Sequence, residues 1–282
     1  MNYIHLDQDA VNDILPDRPL CAHKGNFGKI LLLSGSRGYT GAAALCAMGA
    51  LRSGSGLVYL GVPESIYEIE AVKLNEAIVF PLPDTDGKLG IQAIDVLEER
   101  LGMYDAVLIG PGLGRSDSTF AVVKYILSRC RCPVVLDADG INLISEHKDI
   151  LRGRSGITVL TPHEGEFERL IGRKICDRVE DAVAFSSSMN VITVLKGHDT
   201  VITDGAQIYI NKTGNPGMAV GGCGDVLAGM VVSLIGQGLD SLQAAACAVW
   251  LHGAAGDICA ETIGQYGMLP SDMLNVLPRL LK

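Results

Sequence analysis

Short, nearly continuous apolar runs alternate with helix-patterned stretches along most of this chain, and no other feature narrows its fold as much. Residues 29–33, 57–62, 77–82, 106–109, 134–136 and 158–160 are apolar runs of strand length. Helical patterns fill the gaps at 42–52, 64–73, 91–101, 118–128 and 164–171, and another follows at 179–189. A strand covered on both faces shows no polar side, so it reads as unbroken apolar sequence, the mark of a parallel sheet. Parallel neighbours need a crossover, usually a helix, so this order predicts βαβ units and an α/β fold. After residue 189 the runs at 191–195, 201–203 and 207–210 crowd together, separated by His198-Asp199 and Asp204-Gly205. Those turn residues predict antiparallel pairing at one edge of the sheet. The last third is helical at 225–235, 242–260 and 271–281. No linker or repeat intervenes. Residues 1–282 are therefore expected to form one domain, a three-layer α/β/α sandwich around a mostly parallel central sheet.

Composition excludes several classes. A net charge of −9 and an aromatic fraction of 5% supply neither the basic footprint nor the stacking platforms that nucleic acid needs. Nucleotide binding stays open, because backbone N–H groups can hold phosphate. The 34 glycines exceed the usual ~7% of residues and show no three-residue period, so they mark turns or close ligand approach. Residues 218–236 imitate a membrane span with one charge, Asp225. An aspartate at the bilayer centre costs about 3 kcal/mol, and Gly221, Gly222, Gly224, Gly229 and Gly236 weaken a lone helix, so a buried helix is expected. The N-terminus carries Asp7, Asp9, Asp13 and Asp17 where a signal peptide would be basic and then apolar. The eight cysteines lack a CxxC pair, and Cys130 and Cys132 have poor spacing for a bridge or a zinc site. They read as buried small hydrophobes in a reducing compartment, the cytoplasm.

Open α/β sheets bind ligands beyond the C-terminal ends of their strands. Here Leu33 leads into Ser34-Gly35-Ser36-Arg37-Gly38-Tyr39-Thr40-Gly41, and Ile109 into Gly110-Pro111-Gly112-Leu113-Gly114. Leu136 leads into Asp137-Ala138-Asp139, Leu160 into Thr161-Pro162-His163-Glu164-Gly165-Glu166, and Leu195 into Lys196-Gly197-His198. One glycine after a strand is usually only a turn, but five such ends on one edge predict a cleft.

The sharpest feature is Ala219-Val220-Gly221-Gly222-Cys223-Gly224-Asp225 at the start of a long apolar helix. Successive glycines let amides point inward and the helix dipole adds partial positive charge, which makes an anion cradle. Asp225 could simply complement the dipole. A carboxylate beside an anion site repels the anion, however, unless it is there to take a proton from a bound hydroxyl, so the base reading is favoured. A Walker A loop is absent, since Gly28-Lys29 and Gly87-Lys88 precede Ile30 and Leu89 rather than Ser or Thr. Gly110, Gly112 and Gly114 place the third glycine one residue too early for a dinucleotide fingerprint.

Gly-Gly-x-Gly-Asp ahead of a helix resembles the anion hole and base of the ribokinase-like superfamily. Its small-molecule kinases usually carry Asn-x-x-Glu after Thr-Pro, with the Glu organising magnesium; this chain has His163-Glu164-Gly165-Glu166 there. That departure joins Tyr39-Thr40-Gly41-Ala42-Ala43, Gly110-Pro111-Gly112-Leu113-Gly114 and Lys196-Gly197-His198-Asp199-Thr200. Together they resemble the NAD(P)H-hydrate dehydratases, carbohydrate-kinase-like repair enzymes. The resemblance runs from His23-Lys24-Gly25-Asn26-Phe27-Gly28 to the last helix. Cys223 stands where Ser or Thr is common, with little consequence expected for a cradle built of backbone amides.

The resemblance implies nucleotide-dependent dehydration of the S epimer of NADH-hydrate or NADPH-hydrate, with ADP the expected phosphate donor and ATP the alternative. Asp225 would take the proton of the C6 hydroxyl as it attacks the terminal phosphate, and the amides of Gly221, Gly222, Cys223 and Gly224 would form the anion hole. Glu166 would place Mg2+ through water. Ala42, Gly112, His163 and Asp225 would contact the hydrated cofactor, and Lys196, Gly197, His198, Asp199, Thr200 and Gly224 the adenosine nucleotide. A helix cap is the plainer role for His163, and a solvated strand end for Lys196. Asp137 and Asp139 stay open between magnesium or phosphate duty and turn formation, and are left out of the site. The alternative activity is a kinase of the same fold acting on a vitamin precursor or sugar. The family further implies a homotetramer and a separate NAD(P)H-hydrate epimerase as functional partner, for which the residues ahead of Lys29 leave no room.

Overall fold

The computed structural model describes residues 2–281; Met1, where the acidic N-terminal segment begins, and Lys282, the last residue of the single-domain reading, lie outside the described residues. The strands are β1 (Lys29–Leu33), β2 (Leu57–Pro63), β3 (Ile78–Leu82), β4 (Asp84–Thr85), β5 (Lys88–Leu89), β6 (Ala106–Ile109), β7 (Val134–Leu136), β8 (Thr158–Leu160), β9 (Ile192–Leu195), β10 (Thr200–Thr203) and β11 (Ile208–Asn211). The α-helices are α1 (Gln8–Ile14), α2 (Thr40–Arg52), α3 (Tyr67–Lys73), α4 (Ala93–Glu98), α5 (Asp117–Arg129), α6 (Asp139–Ile144), α7 (Glu164–Ile171), α8 (Arg178–Met189), α9 (Cys223–Gly236), α10 (Ser241–Thr262) and α11 (Pro270–Val276).

A nine-stranded sheet runs β11-β10-β9-β8-β7-β6-β1-β2-β3, and β4 and β5 form a separate small hairpin. Pairing is parallel from β9 through β3 and antiparallel at β9–β10 and β10–β11. β1 lies between β2 and β6, so the chain builds outward to one side of β1 and then to the other. That reversal opens a crevice beyond the C-terminal ends of β1 and β6.

The unbroken apolar run of β1 follows from its two covered faces. Ile30 and Leu32 pack with Ala43, Ala47, Val226 and Val231 of α2 and α9, whereas Leu31 and Leu33 pack with Leu97, Val123, Ile126 and Phe167 of α4, α5 and α7. The two layers of helices thus take alternate residues of the same strand. All four side chains are fully buried, and truncating any one to Ala would cost about 2–5 kcal/mol. The approach of α2 to α9 is set by glycine. A Cβ on Gly49 would stand 2.5 Å from the Val226 carbonyl oxygen, and one on Gly229 would stand 2.2 Å from that of Cys46. Backbone touches backbone there, which holds the start of α9 over the sheet.

Several boundaries differ from expectation. The span-like segment is α9, buried along most of its length, and among the described residues no helix is long and apolar enough to cross a membrane. The stretch 64–73 opens with a 3-10 turn at Glu64–Ile66 before α3, and 91–101 contributes only α4. The helix expected at 271–281 ends at Val276 and passes into a 3-10 turn, Leu277–Arg279, because Pro278 has no N–H to continue it. α1 was not anticipated; Asp7 caps it by accepting from Ala10 N–H at 2.8 Å, and Val11 enters the core. The cysteines are all free, but Cys21 and Cys176 are exposed and Cys132 is half-buried, so those three are not core hydrophobes.

Candidate active site

The crevice beside β1 is laced together by short polar contacts. Ser34 Oγ donates to the Pro111 carbonyl at 2.6 Å, Gly35 N–H to the same oxygen at 2.9 Å, and Ser36 Oγ to the Gly112 carbonyl at 2.7 Å. These bonds set the loops after β1 and β6 side by side. Gly112 has φ 61°, and a Cβ there would stand 2.8 Å from the Ala42 Cβ and 2.9 Å from the Tyr39 Cβ. Ala42 and Gly112 therefore face each other as the small residues of one wall, with Tyr39 exposed beside them.

The strand ends after β7, β8 and β9 converge on a charged cluster. Asp137 is buried, and its Oδ1 accepts from Thr161 Oγ1 at 2.7 Å and from Lys196 Nζ at 2.7 Å. The next residue, Ala138, adopts φ 47° and ψ −116°, a conformation that costs a non-glycine residue about 1–3 kcal/mol and is found where surroundings impose it. Burial works against the charge on Lys196, but Asp137, Glu166 and Asp225 outweigh it and hold this lysine above its ordinary pKa. Lys196 is thus not a solvated strand end.

Asp225 joins the cluster from α9. Burial pushes its carboxyl up to about 6, the charge of Asp137 adds to the rise, and Lys196 opposes it. A Cβ on Gly224 would stand 3.4 Å from Lys196 Nζ, so the ammonium lies directly against the first turn of the helix. Gly222 is the residue before that turn, at φ 102°, and a Cβ there would meet the Leu45 Cδ1 at 2.5 Å. No side chain caps the turn. Its leading amides lack intrahelical acceptors, and together with the dipole they favour an anion. Behind them His252 is buried on α10; burial and Lys196 lower it to about 4, against a hydrogen bond with the Cys223 backbone. A neutral imidazole is what remains there.

The remaining expected residues divide. His163 caps α7, its Nδ1 accepting from Gly165 N–H at 3.0 Å and Glu166 N–H at 3.4 Å, with the rest of the ring exposed. Glu166 Oε2 returns the bond by accepting His163 N–H at 2.9 Å. Buried Glu166 is close enough to Lys196 to raise it. Among the described residues no group of three or more His, Cys, Asp or Glu could hold a metal by itself. Magnesium commonly needs only one or two carboxylates, with water and phosphate oxygens completing its shell, so the acidic groups present fit that ion. In the loop after β9, Gly197 is exposed, and Thr200 Oγ1 closes the turn by donating to the Gly197 carbonyl at 2.9 Å. His198 faces solvent, and Asp199 is held by Lys212 Nζ at 2.6 Å. Neither side chain reaches the charged cluster. Asp139 also serves structure, its Oδ2 accepting Gly114 N–H at 2.9 Å. Asp137, open in sequence between magnesium or phosphate duty and a turn, and Thr161, at one of the strand ends that predict the cleft, both belong to the cluster. A cavity of about 400 Å³ opens at the other edge of the sheet, lined in part by Arg154, Asn190, Asp204 and Asp240, away from these groups.

Known proteins resemble the chain along its whole length. A bifunctional NAD(P)H-hydrate repair enzyme of Moorella thermoacetica is 45% identical over 275 residues, covering 95% of this chain and 52% of the relative. The chain thus spans about half the length of that bifunctional protein. The ADP-dependent (S)-NAD(P)H-hydrate dehydratase of Bacillus subtilis is 35% identical over 289 residues, covering 100% of this chain and 99% of the relative. A crystal structure of the ADP/ATP-dependent NAD(P)H-hydrate dehydratase from Bacillus subtilis, co-crystallised with ATP and Mg2+, matches with a TM-score of 0.83 at 32% identity, covering 99% of this chain and 98% of that one. The carbohydrate-kinase family described as NAD(P)H-hydrate dehydratase matches residues 30–279. With that match over most of its length, and with its glycine-rich turn and half-buried carboxylate at the edge where such a sheet binds ligands, the chain belongs to the NAD(P)H-hydrate dehydratase family.

Proposed function

We propose that the chain returns the S epimer of NADH-hydrate or NADPH-hydrate to NADH or NADPH, with ADP as phosphate donor and ATP as the alternative. One observation carries the reading. A carboxylate raised toward neutrality, Asp225, stands in the same helical turn as an uncapped anion cradle. Pure binding has no use for a charge that repels phosphate, whereas a base works best with a pKa near the operating pH. The names of the relatives support the substrate class.

In the proposed reaction, a carboxylate oxygen of Asp225 takes the proton of the C6 hydroxyl while the hydroxyl oxygen attacks the terminal phosphorus of the nucleotide. The bond from phosphorus to the shortened nucleotide breaks, so ADP leaves as AMP. Amides of Gly221, Gly222 and Gly224 would face the charge on the transferring phosphoryl group, that of Cys223 donating instead to the Val220 carbonyl at 3.4 Å, and Lys196 adds a cation beside Gly224. The ring nitrogen lone pair then expels phosphate from C6, and loss of a proton from C5 restores the dihydronicotinamide. Magnesium, when bound, neutralises phosphate charge, and Glu166 would hold it through water. Ala42 and Gly112 leave space for the dinucleotide, with the exposed edge of His163 at the rim. The backbone of Lys196, Gly197, His198, Asp199 and Thr200 would border the adenosine.

Recovery of the dihydronicotinamide absorbance in a mixture of hydrated NADPH, magnesium and ADP or ATP is the test. Recovery with release of AMP or ADP and phosphate is expected. A stable phosphate ester, or nucleotide consumed without recovery, would sink the proposal.

A further inference from the structure

Away from the charged cluster, the chain between α5 and β7 brings two sulfurs together. Cys130 terminates α5 with extended φ −70° and ψ 125°. Cys132 precedes Pro133, which disfavours helical backbone at Cys132. Their spacing alone argues against a bridge, but with this extended cap both thiols turn the same way, and their Sγ atoms lie 3.2 Å apart. Arg154 fixes the segment: its Nη1 donates to the Leu127 carbonyl at 2.9 Å and its Nη2 to the Cys132 carbonyl at 3.1 Å. The C-terminal end of α5 disfavours an anion, and this guanidinium offsets it. The contact with Cys132, and then Arg154, lower the Cys130 thiol against its burial, while the same contact raises Cys132. Burial alone sends other thiols the opposite way, such as Cys247, pushed up to about 12. Cys130 is buried, but Cys132 is half-buried and opens the pair to a small reagent.

We propose that Cys130 and Cys132 are a reversible oxidation site, a dithiol that closes to an intrachain disulfide when it meets hydrogen peroxide. The Cys130 thiolate attacks one peroxide oxygen, the O–O bond breaks, and hydroxide leaves a sulfenic acid on Cys130. The Cys132 sulfur then attacks that sulfur; the S–S bond forms, the S–O bond breaks, and the departing hydroxide takes the Cys132 proton as water. Two thiols are oxidised and one peroxide is reduced to two waters. A thiol reductant reverses the step. The site is independent of the nucleotide chemistry, so it stands or falls apart from the proposed activity.

Peptide mass mapping of the whole chain tests it. The folded protein is treated with peroxide, the peroxide is removed, and the protein is then denatured in the presence of N-ethylmaleimide, which blocks every remaining thiol, and digested. Trypsin cuts after Arg129, Arg131 and Lys148, so the disulfide joins the dipeptide 130–131 to the peptide 132–148, at the mass of the pair less two hydrogens. Dithiothreitol should separate them. In Cys132→Ser the link cannot form, and Cys130 should be trapped by dimedone as a sulfenic acid. The proposal fails if both thiols stay open to N-ethylmaleimide after a peroxide dose that oxidises exposed Cys21 and Cys176. It fails equally if Cys130 or Cys132 is found linked to another cysteine.

Discussion

If Asp225 is held against its preference for water, removing its charge should stabilise the folded protein. Its pKa rises from 3.8 to about 6 on folding, chiefly through burial and then through Asp137. Two units correspond to about 3 kcal/mol, at 1.36 kcal/mol per unit. The helix N-terminus favours the charged form by about 0.3–1 kcal/mol, which leaves about 2 kcal/mol for Asp225→Asn to recover. The sign fixes the pH window. Below pH 3.8 the group is neutral in both states, and folding carries no penalty. Between about pH 4 and 6 the unfolded chain ionises first, so the folded state loses stability as pH rises, and above about 6 the loss is complete. Urea unfolding at pH 7.5 should therefore show Asp225→Asn more stable than the parent by about 2 kcal/mol. At ~2.1 cal/mol/K of unfolding entropy per residue, that is about 3–4 °C in Tm for a chain of this length. At pH 4 the difference should vanish. The same variant should lose turnover by at least ~100-fold, the scale of general-base removal. A variant no more stable than the parent at pH 7.5, or equally stabilised at both pH values, would refute the claim that the site strains this carboxylate.

The same electrostatics predict the kinetics. Turnover should fall on the acid side through about pH 6 as Asp225 gains its proton, and Asp137→Asn should move that limb lower, because one of the charges raising Asp225 is gone; a pH–rate profile with an unmoved limb would deny the coupling. Lys196→Met leaves Asp137 buried without its cation, so urea unfolding should show a loss of about 3 kcal/mol, the scale of a broken buried pair. The acid limb of that variant should move up, since Lys196 favours the charged form of Asp225. His163→Asn keeps a strong N-cap for α7 and should leave Tm within about 1 °C, while KM for the hydrate rises; an unchanged KM would remove His163 from the site.

The sheet was legible because its strands are covered on both faces: 29–33, 106–109, 134–136 and 158–160 coincide with β1, β6, β7 and β8. The glycine turn ahead of α9 was legible because Gly222 needs a backbone that only glycine adopts easily. What stayed hidden was non-local. Asp137, Thr161 and Lys196 are spread over sixty residues of sequence, and they meet only because β7, β8 and β9 are neighbours in the sheet. Strand order is not written in any local pattern, so Asp137 could not be told from a turn former. Motif blocks also conceal which side chain turns inward. Lys196 faces the cluster, whereas Asp199, at φ 56°, turns out to Lys212 and His198 is solvated. The Cys130–Cys132 contact was hidden for a related reason, because it depends on an extended cap that spacing alone does not reveal.

If Asp225 is the base, its fixed position also limits which substrate molecules can react. Hydration makes C6 of the nicotinamide ring a stereocentre, so the hydroxyl projects from one ring face or the other. Asp225 belongs to the rigid first turn of α9, whose path is set by the backbone contacts at Gly49 and Gly229. Phosphoryl transfer needs the attacking oxygen, the terminal phosphorus and the leaving oxygen roughly in line, with the base within reach of the attacking hydroxyl's proton, and a misplacement of about 1 Å can cost ~100-fold in rate. If the dinucleotide lies against Ala42 and Gly112 as proposed, turning the ring over to present the other face would carry its carboxamide and ribose away from that wall. With a freshly mixed pair of epimers and excess nucleotide, absorbance should therefore recover in a fast phase that consumes one epimer and then stalls. The remainder should follow only as fast as the epimers interconvert unaided, and a separately added NAD(P)H-hydrate epimerase should release it at once. Complete recovery in a single phase by the purified chain would mean that both faces reach the base, and the fixed placement of Asp225 would have to be abandoned.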